Sequence, residues 1–227
     1  MRSAFCNASK KAMVNNGLTV CPLCNGIASF LAHARERDYY RCGSCKSAFL
    51  HPLFYLSTND ERARYLLHRN DPNDLGYRTF LAPIVNAVAA VHHPMERGLD
   101  YGSGLVPAVT NLLREKGFEN VTPYDPFFFP NAVALEGLYD FIACSETAEH
   151  FHQPVLEFKR MRNLLKPGGT LALLTLLFND TIDFGAWHYK NDPTHVFFYS
   201  PEAFDWIRRN VGFAGLRIQD RLIILKL

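Results

Sequence analysis

The segment from Arg97 to Gly117 constrains the fold more than any other part of the sequence. A short apolar run ends at Asp100, and Gly102 and Gly104 follow it. Beyond these glycines, apolar residues recur at helical spacing until Gly117, a residue type that commonly ends helices. A strand, a glycine turn and a helix in this order are typical of the nucleotide-binding start of a doubly wound α/β sheet. We therefore predict an α/β fold.

The acid at the end of the predicted strand indicates which nucleotide the turn could bind. A dinucleotide places its pyrophosphate at the helix N-terminus, where the Asp100 carboxylate would repel it. S-adenosylmethionine (SAM) has no phosphate, and its ammonium and sulfonium groups favour a nearby carboxylate. Glycines let the backbone approach such a ligand closely. These residues favour SAM, and the alternative is a glycine turn without a ligand.

The stretch Asp100-Tyr101-Gly102-Ser-Gly104 resembles the first motif of class I SAM-dependent methyltransferases, acid-x-Gly-x-Gly-x-Gly, except that Val106 replaces the third glycine. The resemblance extends from Arg97 to Leu227. It implies a Rossmann-like methyltransferase sheet and places Asp100, Tyr101, Gly102 and Gly104 at the cofactor.

Two later acids fit the same resemblance. Val121–Asp125 predicts a second strand that ends in an acid, and in the resembled family this acid binds the ribose hydroxyls. Tyr139–Glu146 resembles the fourth strand, whose end lies beside the methionine part of SAM, so Glu146 is also assigned to the cofactor. It is followed by Glu149-His150, in a Glu-x-x-Glu-His pattern. Leu164–Gly169 is a frequent family signature that predicts a helix stop and a tight turn.

The region between the second and fourth strands is short. Only fourteen residues separate Asp125 from Asp140, and Pro126 to Pro130 contains three phenylalanines between two prolines. This predicts a shortened third βα unit. The phenylalanines either help to enclose the adenine ring or fill the gap.

Candidate catalytic and substrate residues come from three places. His150 and His195 are the candidate bases, needed only if the acceptor must lose a proton; His150 alternatively orients the start of a helix. The polar, aromatic segment 179–200 follows a strand at the edge where open α/β sheets bind substrates. Its alternative is a packed loop. The substrate candidates are Trp187, Tyr189 and Asp192 of this segment, together with Tyr77.

Four cysteines form two C-x2-C pairs, separated by seventeen residues: Cys21, Cys24, Cys42 and Cys45. This spacing is typical of zinc sites, since two such turns can direct four thiolates to one tetrahedral Zn²⁺. Four thiolates leave no open position, so the predicted zinc is structural. The alternative is a redox dithiol pair. Cys6 and Cys144 fall outside the pattern and are predicted to be ordinary thiols.

The predicted organisation is a zinc-ribbon-like module at 1–56, a helical bridge or lid at 57–96 and a methyltransferase domain at 97–227. In the bridge, Ser57 or Thr58 caps one helix and a second runs from about Asp74 to Val91, with Pro83 either kinking it or marking its first turn. The polar residues after the first helix and at the start of the second suggest either a lid or turn chemistry with a solvated helix end. These are His68, Asn70, Asp71, Asp74, Tyr77 and Arg78.

Residues 1–56 carry a net charge of +5 and the remainder −3. A basic module is compatible with a polyanionic partner or with a solvated surface. Residues 1–17 lack a signal-peptide pattern, and the longest apolar run, Leu171–Phe178, is too short to span a bilayer. We therefore expect a cytoplasmic protein without a membrane partner.

Together these features predict a SAM-dependent methyltransferase with a structural Zn²⁺, acting on a small-molecule acceptor. The first alternative is an RNA methyltransferase that uses the basic module, including Arg35, Arg37 and Arg41, to bind its substrate. The second is a non-catalytic zinc-ribbon binding protein.

Overall fold

The computed structural model describes residues 17–68 and 70–227, which form two sheets. Cys6, three basic residues of the N-terminal module (Arg2, Lys10 and Lys11) and nearly all of the segment scanned for a signal peptide lie outside the described residues. Among the described residues, no helix is both long and apolar enough to cross a membrane.

The first sheet is antiparallel and begins with the cysteine-containing segment. Its first four strands are β1 (Leu18–Val20), β2 (Ile27–Ala34), β3 (Arg37–Cys42) and β4 (Ala48–Leu50). Arg35 and Glu36 both have positive φ, as a two-residue hairpin turn between β2 and β3 requires. The fifth strand, β9 (Phe197–Phe198), comes from far along the chain and pairs with β4. The predicted ribbon is therefore part of a larger sheet.

Two helices follow this sheet, each capped by a side chain. Helix α1 (Thr58–Tyr65) begins after Ser57, whose Oγ accepts a hydrogen bond from the Asp60 N–H. Helix α2 (Leu75–Val91) begins after Asp74, which caps it in the same way. Both predicted helices are confirmed. Pro83 lies inside α2, so it does not mark the first turn.

The second sheet has six strands in the order β10-β11-β8-β7-β5-β6. Strands β5 (Gly98–Tyr101), β6 (Val121–Tyr124), β7 (Tyr139–Ser145) and β8 (Leu165–Leu174) are parallel, and the hairpin β10 (Gly215–Gln219) and β11 (Leu222–Lys226) completes the sheet antiparallel. The chain passes from β5 to one side and later returns to its other side, so the strand order reverses at β5. In open α/β sheets this reversal opens a crevice beyond the strand ends.

The remaining helices connect these strands. They are α3 (Ala108–Glu115), α4 (Pro154–Asn163) and α5 (Pro201–Ile207), with 3-10 turns at Pro52–Phe54, Ala132–Leu135, Ala148–His150 and His188–Asn191 and a π turn at Arg208–Gly212. The third βα unit is short, as predicted: between β6 and β7 the chain forms only the Asp125–Phe129 bridge and one 3-10 turn. The doubly wound α/β prediction is thus confirmed.

The tight turn predicted over Leu164–Gly169 lies within a strand. Strand β8 begins at Leu165, which pairs with Tyr139. The ladder then shifts between Tyr139 and Phe141, which accommodates the predicted turn, where Gly168 has φ +74°. Leu165 consequently lies in the sheet.

A single hydrophobic cluster joins the two sheets. It includes Tyr39 and Phe49 of the first sheet, Phe197 and Phe198 of β9, and Leu171 and Leu173 of the second. The Phe49 and Phe197 rings stack with centroids 6.1 Å apart. Aromatic side chains from both sheets therefore fill this shared core.

Candidate functional site

A cleft of about 1050 Å³ opens at the carboxyl ends of β5, β6 and β7. Its volume reaches the upper end of the range usual for small-molecule sites, roughly 300–1,000 Å³. All six predicted cofactor residues line it: Asp100, Tyr101, Gly102, Gly104, Asp125 and Glu146. The sheet therefore brings together residues that are up to 46 positions apart in the chain.

The glycine turn takes a shape that other residues would oppose. Gly102 and Gly104 have φ of +78° and +67°. A Cβ on Gly102 would collide with Thr147, whose Oγ1 donates hydrogen bonds to the carbonyls of Gly102 (3.1 Å) and Ser145 (2.9 Å). A Cβ on Gly104 would meet no atom within 4 Å. Gly102 therefore serves packing, whereas Gly104 leaves open space at the cleft.

The backbone N–H groups of this turn are already used. Those of Gly102 and Ser103 donate to the Tyr124 carbonyl, at 2.8 and 3.0 Å. That of Gly104 donates to Asp125 Oδ2 at 3.0 Å. A phosphate cradle needs such groups to point at the ligand. This turn consequently offers a phosphate no free N–H at these three positions.

Asp100 is only 2% exposed and is held by the start of α3. Its Oδ2 accepts hydrogen bonds from the Thr110 N–H (3.0 Å) and Oγ1 (2.8 Å). Burial nevertheless raises the pKa of Asp100 to about 6. A cation bound in the cleft would favour the ionised form of this carboxylate.

Asp125 accepts hydrogen bonds from both the glycine turn and the segment that follows β6. Besides the Gly104 N–H, it accepts hydrogen bonds from the N–H groups of Phe127 (2.8 Å) and Phe128 (3.1 Å). Both phenylalanines line the cleft, which favours the enclosing role considered for them over simple gap filling. A carboxylate has about four acceptor positions, so Asp125 retains capacity for a ligand hydroxyl.

Two serine hydroxyls beside the turn lack partners. Ser103 Oγ and Ser145 Oγ are buried, line the cleft and make no hydrogen bond with the described residues. Buried polar atoms are normally satisfied by protein, water or ligand. Together with the open space at Gly104 and the two carboxylates, these hydroxyls fit a polar, cationic nucleoside such as SAM.

Glu146 follows β7 in an uncommon backbone conformation, with φ +47°. Its Oε1 accepts a hydrogen bond from Arg221 at 2.8 Å, and the Arg221 guanidinium lies 3.5 Å from the centre of the Phe80 ring. Burial raises the pKa of Glu146 although Arg221 opposes the shift. Such strained positions often occur at functional sites.

The two candidate bases meet at the cleft wall, with ring centroids 4.8 Å apart. His150 Nδ1 lies 3.0 Å from the Thr194 carbonyl, and His195 Nδ1 lies 2.6 Å from the Tyr189 carbonyl. A carbonyl can only accept, so each Nδ1 carries the proton and each Nε2 has a free lone pair. Burial lowers the pKa of His150 to about 3 and that of His195 to about 4. Both imidazoles are therefore neutral and weakly basic.

Three of the four substrate candidates lie behind the wall of the cleft, and only Tyr77 lines it. Tyr189 is buried and donates a hydrogen bond to Glu149. Asp192 accepts hydrogen bonds from Arg64 (2.7 Å) and Thr194, which fastens α1 to this segment. Trp187 packs against aromatic residues such as Phe178 and Phe198. Segment 179–200 thus supports the wall, because its large side chains are used in the shared core.

The polar residues that follow α1 and continue into the first turn of α2 divide between the two interpretations. His68, Asn70 and Tyr77 line the cleft. Asp71, Asp74 and Arg78 instead stabilise the local structure through a turn, a helix cap and an ion pair with Glu115.

Helix α1 supplies cleft residues that the sequence analysis did not identify. Thr58, Glu61 and Tyr65 line the cleft. Glu61 is 8% exposed although it lies on a polar helix, and its Oε1 is 2.7 Å from His152 Nε2. Thr58, Glu61 and Tyr65 are spaced three and four residues apart and therefore lie on one helical face. This spacing was the signal in the sequence that could have identified them.

The four cysteines of the two C-x2-C pairs converge. Cys21 Sγ and Cys45 Sγ lie 3.7 Å apart, and Cys24 Sγ and Cys42 Sγ 3.4 Å apart. Tetrahedral ligation with Zn–S bonds of about 2.3 Å separates the sulfurs by roughly 3.8 Å. Cys42 Sγ also accepts hydrogen bonds from the N–H groups of Ser44 and Cys45, which support a thiolate. This donor set fits one Zn²⁺.

Two of the arginines considered for RNA binding contact the late segment instead. Arg37 donates to the Lys190 carbonyl, and Arg41 pairs with Asp180. Cys144, predicted to be an ordinary thiol, is buried in β7, and burial raises its pKa well above the usual value.

A comparison with solved structures found several proteins that are similar to this chain. The chain is similar to an O-methyltransferase family protein from Burkholderia thailandensis (18% identity, TM-score 0.48, 73% of this chain and 61% of that one). It is similar to PigF with SAH (14% identity, TM-score 0.46, 73% of this chain and 61% of that one). It is also similar to a SAM-dependent methyltransferase, possible histamine N-methyltransferase, from Thermotoga maritima (16% identity, TM-score 0.43, 74% of this chain and 94% of that one). The chain thus spans about three fifths of the length of the first two.

No curated protein is significantly similar in sequence. A family model described as "Methyltransferase domain" matches residues 73–218, which is more than half of the chain. The match begins just before α2, includes the glycine turn and the cleft strands, and ends in β10. The chain therefore belongs to the methyltransferase domain family.

Proposed function

We propose that this protein is a SAM-dependent methyltransferase whose acceptor is a small molecule. One observation carries the cofactor assignment: the N–H groups of the glycine turn are occupied, and the carboxylates of Asp100 and Asp125 stand where a phosphate would otherwise bind. Such a site repels a phosphate and attracts a cation. Bound SAM would supply an activated methyl group.

Different residues around the cleft would bind different parts of SAM. Asp100 would attract the cationic part of SAM, and Asp125 would accept the ribose hydroxyls. Gly104 gives the backbone room to approach the ligand. Tyr101 is fixed by its hydrogen bond to Glu157, so its ring provides a firm surface. Alignment of donor and acceptor in the cleft supplies most of what a methyl transfer needs.

The acceptor side of the cleft favours a small molecule. It is covered by α1 and lined by Tyr65, His68, His150 and His195, which together make a polar and aromatic wall. Arg37 and Arg41 contact the Lys190 carbonyl and Asp180 of the same chain, which weakens the argument for RNA. Because His150 and His195 are weak bases, a general base with a pKa near neutrality would have to be another group.

We further propose that Cys21, Cys24, Cys42 and Cys45 hold one structural Zn²⁺. The short sulfur separations and the hydrogen bonds to Cys42 Sγ support this. A closed four-thiolate site leaves no coordination position for a substrate. The zinc would stabilise the first sheet and take no part in methyl transfer.

The acceptor class can be tested with SAM labelled in its methyl group. The full chain is incubated with a small-molecule cell extract and, separately, with total RNA. We expect label in the small-molecule fraction that depends on active protein. Label transferred to RNA alone would contradict the acceptor class and favour the basic module as an RNA-binding surface.

The affinity for the product S-adenosylhomocysteine (SAH), which keeps the ammonium group, should rise with pH around Asp100. Below a pH of about 6 the buried carboxyl is protonated and attracts the ammonium weakly; above it the carboxylate is charged. We expect calorimetric affinity to increase from pH 5 to pH 7 and then level off. The Asp100→Asn variant should bind weakly with no such rise. A wild-type affinity that is flat or falls over this range would exclude Asp100 as the ammonium partner.

A further inference from the structure

A second cluster of metal-type ligands lies in the wall of the cleft, far in the sequence from the cysteines. One ligand atom each from Glu149, His150 and His195 lies within 4.8 Å of the other two. Two imidazoles and one carboxylate are a ligand set that binds divalent transition metals and leaves coordination positions open. His150 and His195 also line the cleft, so an open position would face it.

The histidines are oriented as metal ligands usually are. Each Nδ1–H is committed to a backbone carbonyl, of Thr194 for His150 and of Tyr189 for His195. Metal-binding histidines almost always donate their second ring N–H in this way, which fixes the tautomer and the ring. The Nε2 atoms make no hydrogen bond with the described residues, so two fixed lone pairs remain available.

Glu149 provides the second, independent observation. It is fully buried and forms no ion pair with any described residue; its oxygens accept hydrogen bonds from Tyr189 Oη and from Thr175 Oγ1, the latter at 3.2 Å. Burying a carboxylate without a cation is costly. Arg221 pairs with Glu146 at 2.8 Å and forms no ion pair with Glu149. A divalent cation would supply the missing positive charge.

Tyr189 connects the whole cluster. Its hydroxyl donates to Glu149, its carbonyl accepts from His195, and its ring lies 4.4 Å from that of His195. Asp192 fixes Thr194, which in turn holds His150. Segment 179–200 therefore acts as the layer that orients these three side chains, which explains why its own large residues do not line the cleft.

We infer that Glu149, His150 and His195 bind a divalent transition-metal cation whose open positions ligate an oxygen or nitrogen of the acceptor. This deepens the proposed function and rests on it for the role of the bound acceptor. Coordination of a hydroxyl acceptor would lower its pKa, so that water could take its proton without a strong base in the protein. The acceptor class implied is a molecule with a hydroxyl or chelating group.

Cobalt binding tests the inference, because Co²⁺ reports its ligands by absorption. The full chain, purified with zinc in its cysteine site, is titrated with Co²⁺ alone. We expect one saturable equivalent with weak visible bands and no thiolate-to-cobalt charge transfer. His150→Ala and His195→Ala should abolish this equivalent, and Glu149→Gln should weaken it. His188→Ala, an exposed histidine in the same segment, is the matched control and should bind like wild type.

Tyr189→Phe tests the orienting layer, since it removes one hydroxyl and keeps the ring. Loss of such an outer partner typically weakens metal affinity roughly 10- to 100-fold. We expect Co²⁺ affinity to fall within that range while SAH affinity stays close to wild type, which a general loss of folding would not produce.

The outcomes separate this inference from the proposed function. If wild type binds SAH but no second cobalt equivalent, or if both histidine variants bind Co²⁺ like wild type while still binding SAH, the metal inference is wrong and the methyltransferase proposal stands. If the second equivalent binds as described but SAH does not, the metal site is supported and the methyltransferase proposal fails. SAH binding by each variant also shows that its cleft is folded.

Discussion

Replacing Cys42 with serine is expected to remove the zinc and to lower the melting temperature by on the order of 10 °C. Cys42 is buried at the end of β3, and its thiolate is the one supported by two backbone N–H groups. Binding of a structural zinc contributes directly to folding, so losing one ligand costs much of that free energy. Zinc content by mass spectrometry and thermal unfolding measure both effects.

We expect the effect of Cys42→Ser to extend beyond the first sheet. Strand β4 pairs with β9, and Ser200 Oγ donates to the Cys45 carbonyl at 2.6 Å. Segment 188–200 is therefore anchored to the cysteine site. In Cys42→Ser we expect faster hydrogen exchange in this segment and a weaker wall behind Glu149 and His195, so that the proposed methyltransferase activity falls although the proposed zinc would take no part in catalysis.

Cys144→Ala is the matched control, since Cys144 is also buried but lies in β7 outside the cluster. It should keep its zinc and lose only about 1–2 kcal/mol of stability, as small core truncations do. If Cys42→Ser retained full zinc content, or were no less stable than Cys144→Ala, the four-cysteine site would not be structural.

Gly104→Ala should weaken SAH binding roughly 10- to 100-fold while the protein remains folded. A Cβ at Gly104 would stand in open space at the cleft. The only cost to the fold is therefore the strain of holding a residue other than glycine at φ +67°. A methyl group forced into a close-packed contact costs about 1–3 kcal/mol, and each 1.4 kcal/mol is tenfold in affinity. Calorimetry with SAH and thermal unfolding separate the two effects.

Gly168→Ala provides a close control. Gly168 has φ +74°, a Cβ there would also meet no atom within 4 Å, and it lies in the turn of β8 away from the cleft. Both variants should lose a few degrees of melting temperature, and only Gly104→Ala should lose SAH affinity. Equal SAH affinity in the two variants would mean that the ligand does not approach Gly104.

Local patterns predicted which polar residues meet at the glycine turn, because these residues are concentrated at strand ends. The turn after Asp100 and the shortened unit after Asp125 follow from glycines, prolines and spacing, and sheet topology then brings these acids to one edge. The helix that begins after Ser57 followed from its capping residue, and the helix that begins after Asp74 followed from the helical spacing of its apolar residues.

The wall formed by His150 and His195 depends on pairings between distant parts of the chain, which no local pattern encodes. The pairing of β9 with β4 merges the cysteine segment with the late one, and Tyr189 reaches Glu149 across 40 positions. Residues that look like substrate contacts from composition are consequently supports. Conversely, Glu61 looks like a solvated acid on a polar helix until α1 is packed over the cleft.

Titration of the zinc-loaded wild-type chain with SAH in a calorimeter, with NADH in parallel, tests the central assignment. A turn with occupied N–H groups and two facing carboxylates should give saturable, one-site binding of SAH and no detectable binding of the phosphate-bearing NADH. Saturable binding of NADH, or no heat with SAH at pH 7 or above, would show that the cleft is not a binding site for the sulfur nucleoside.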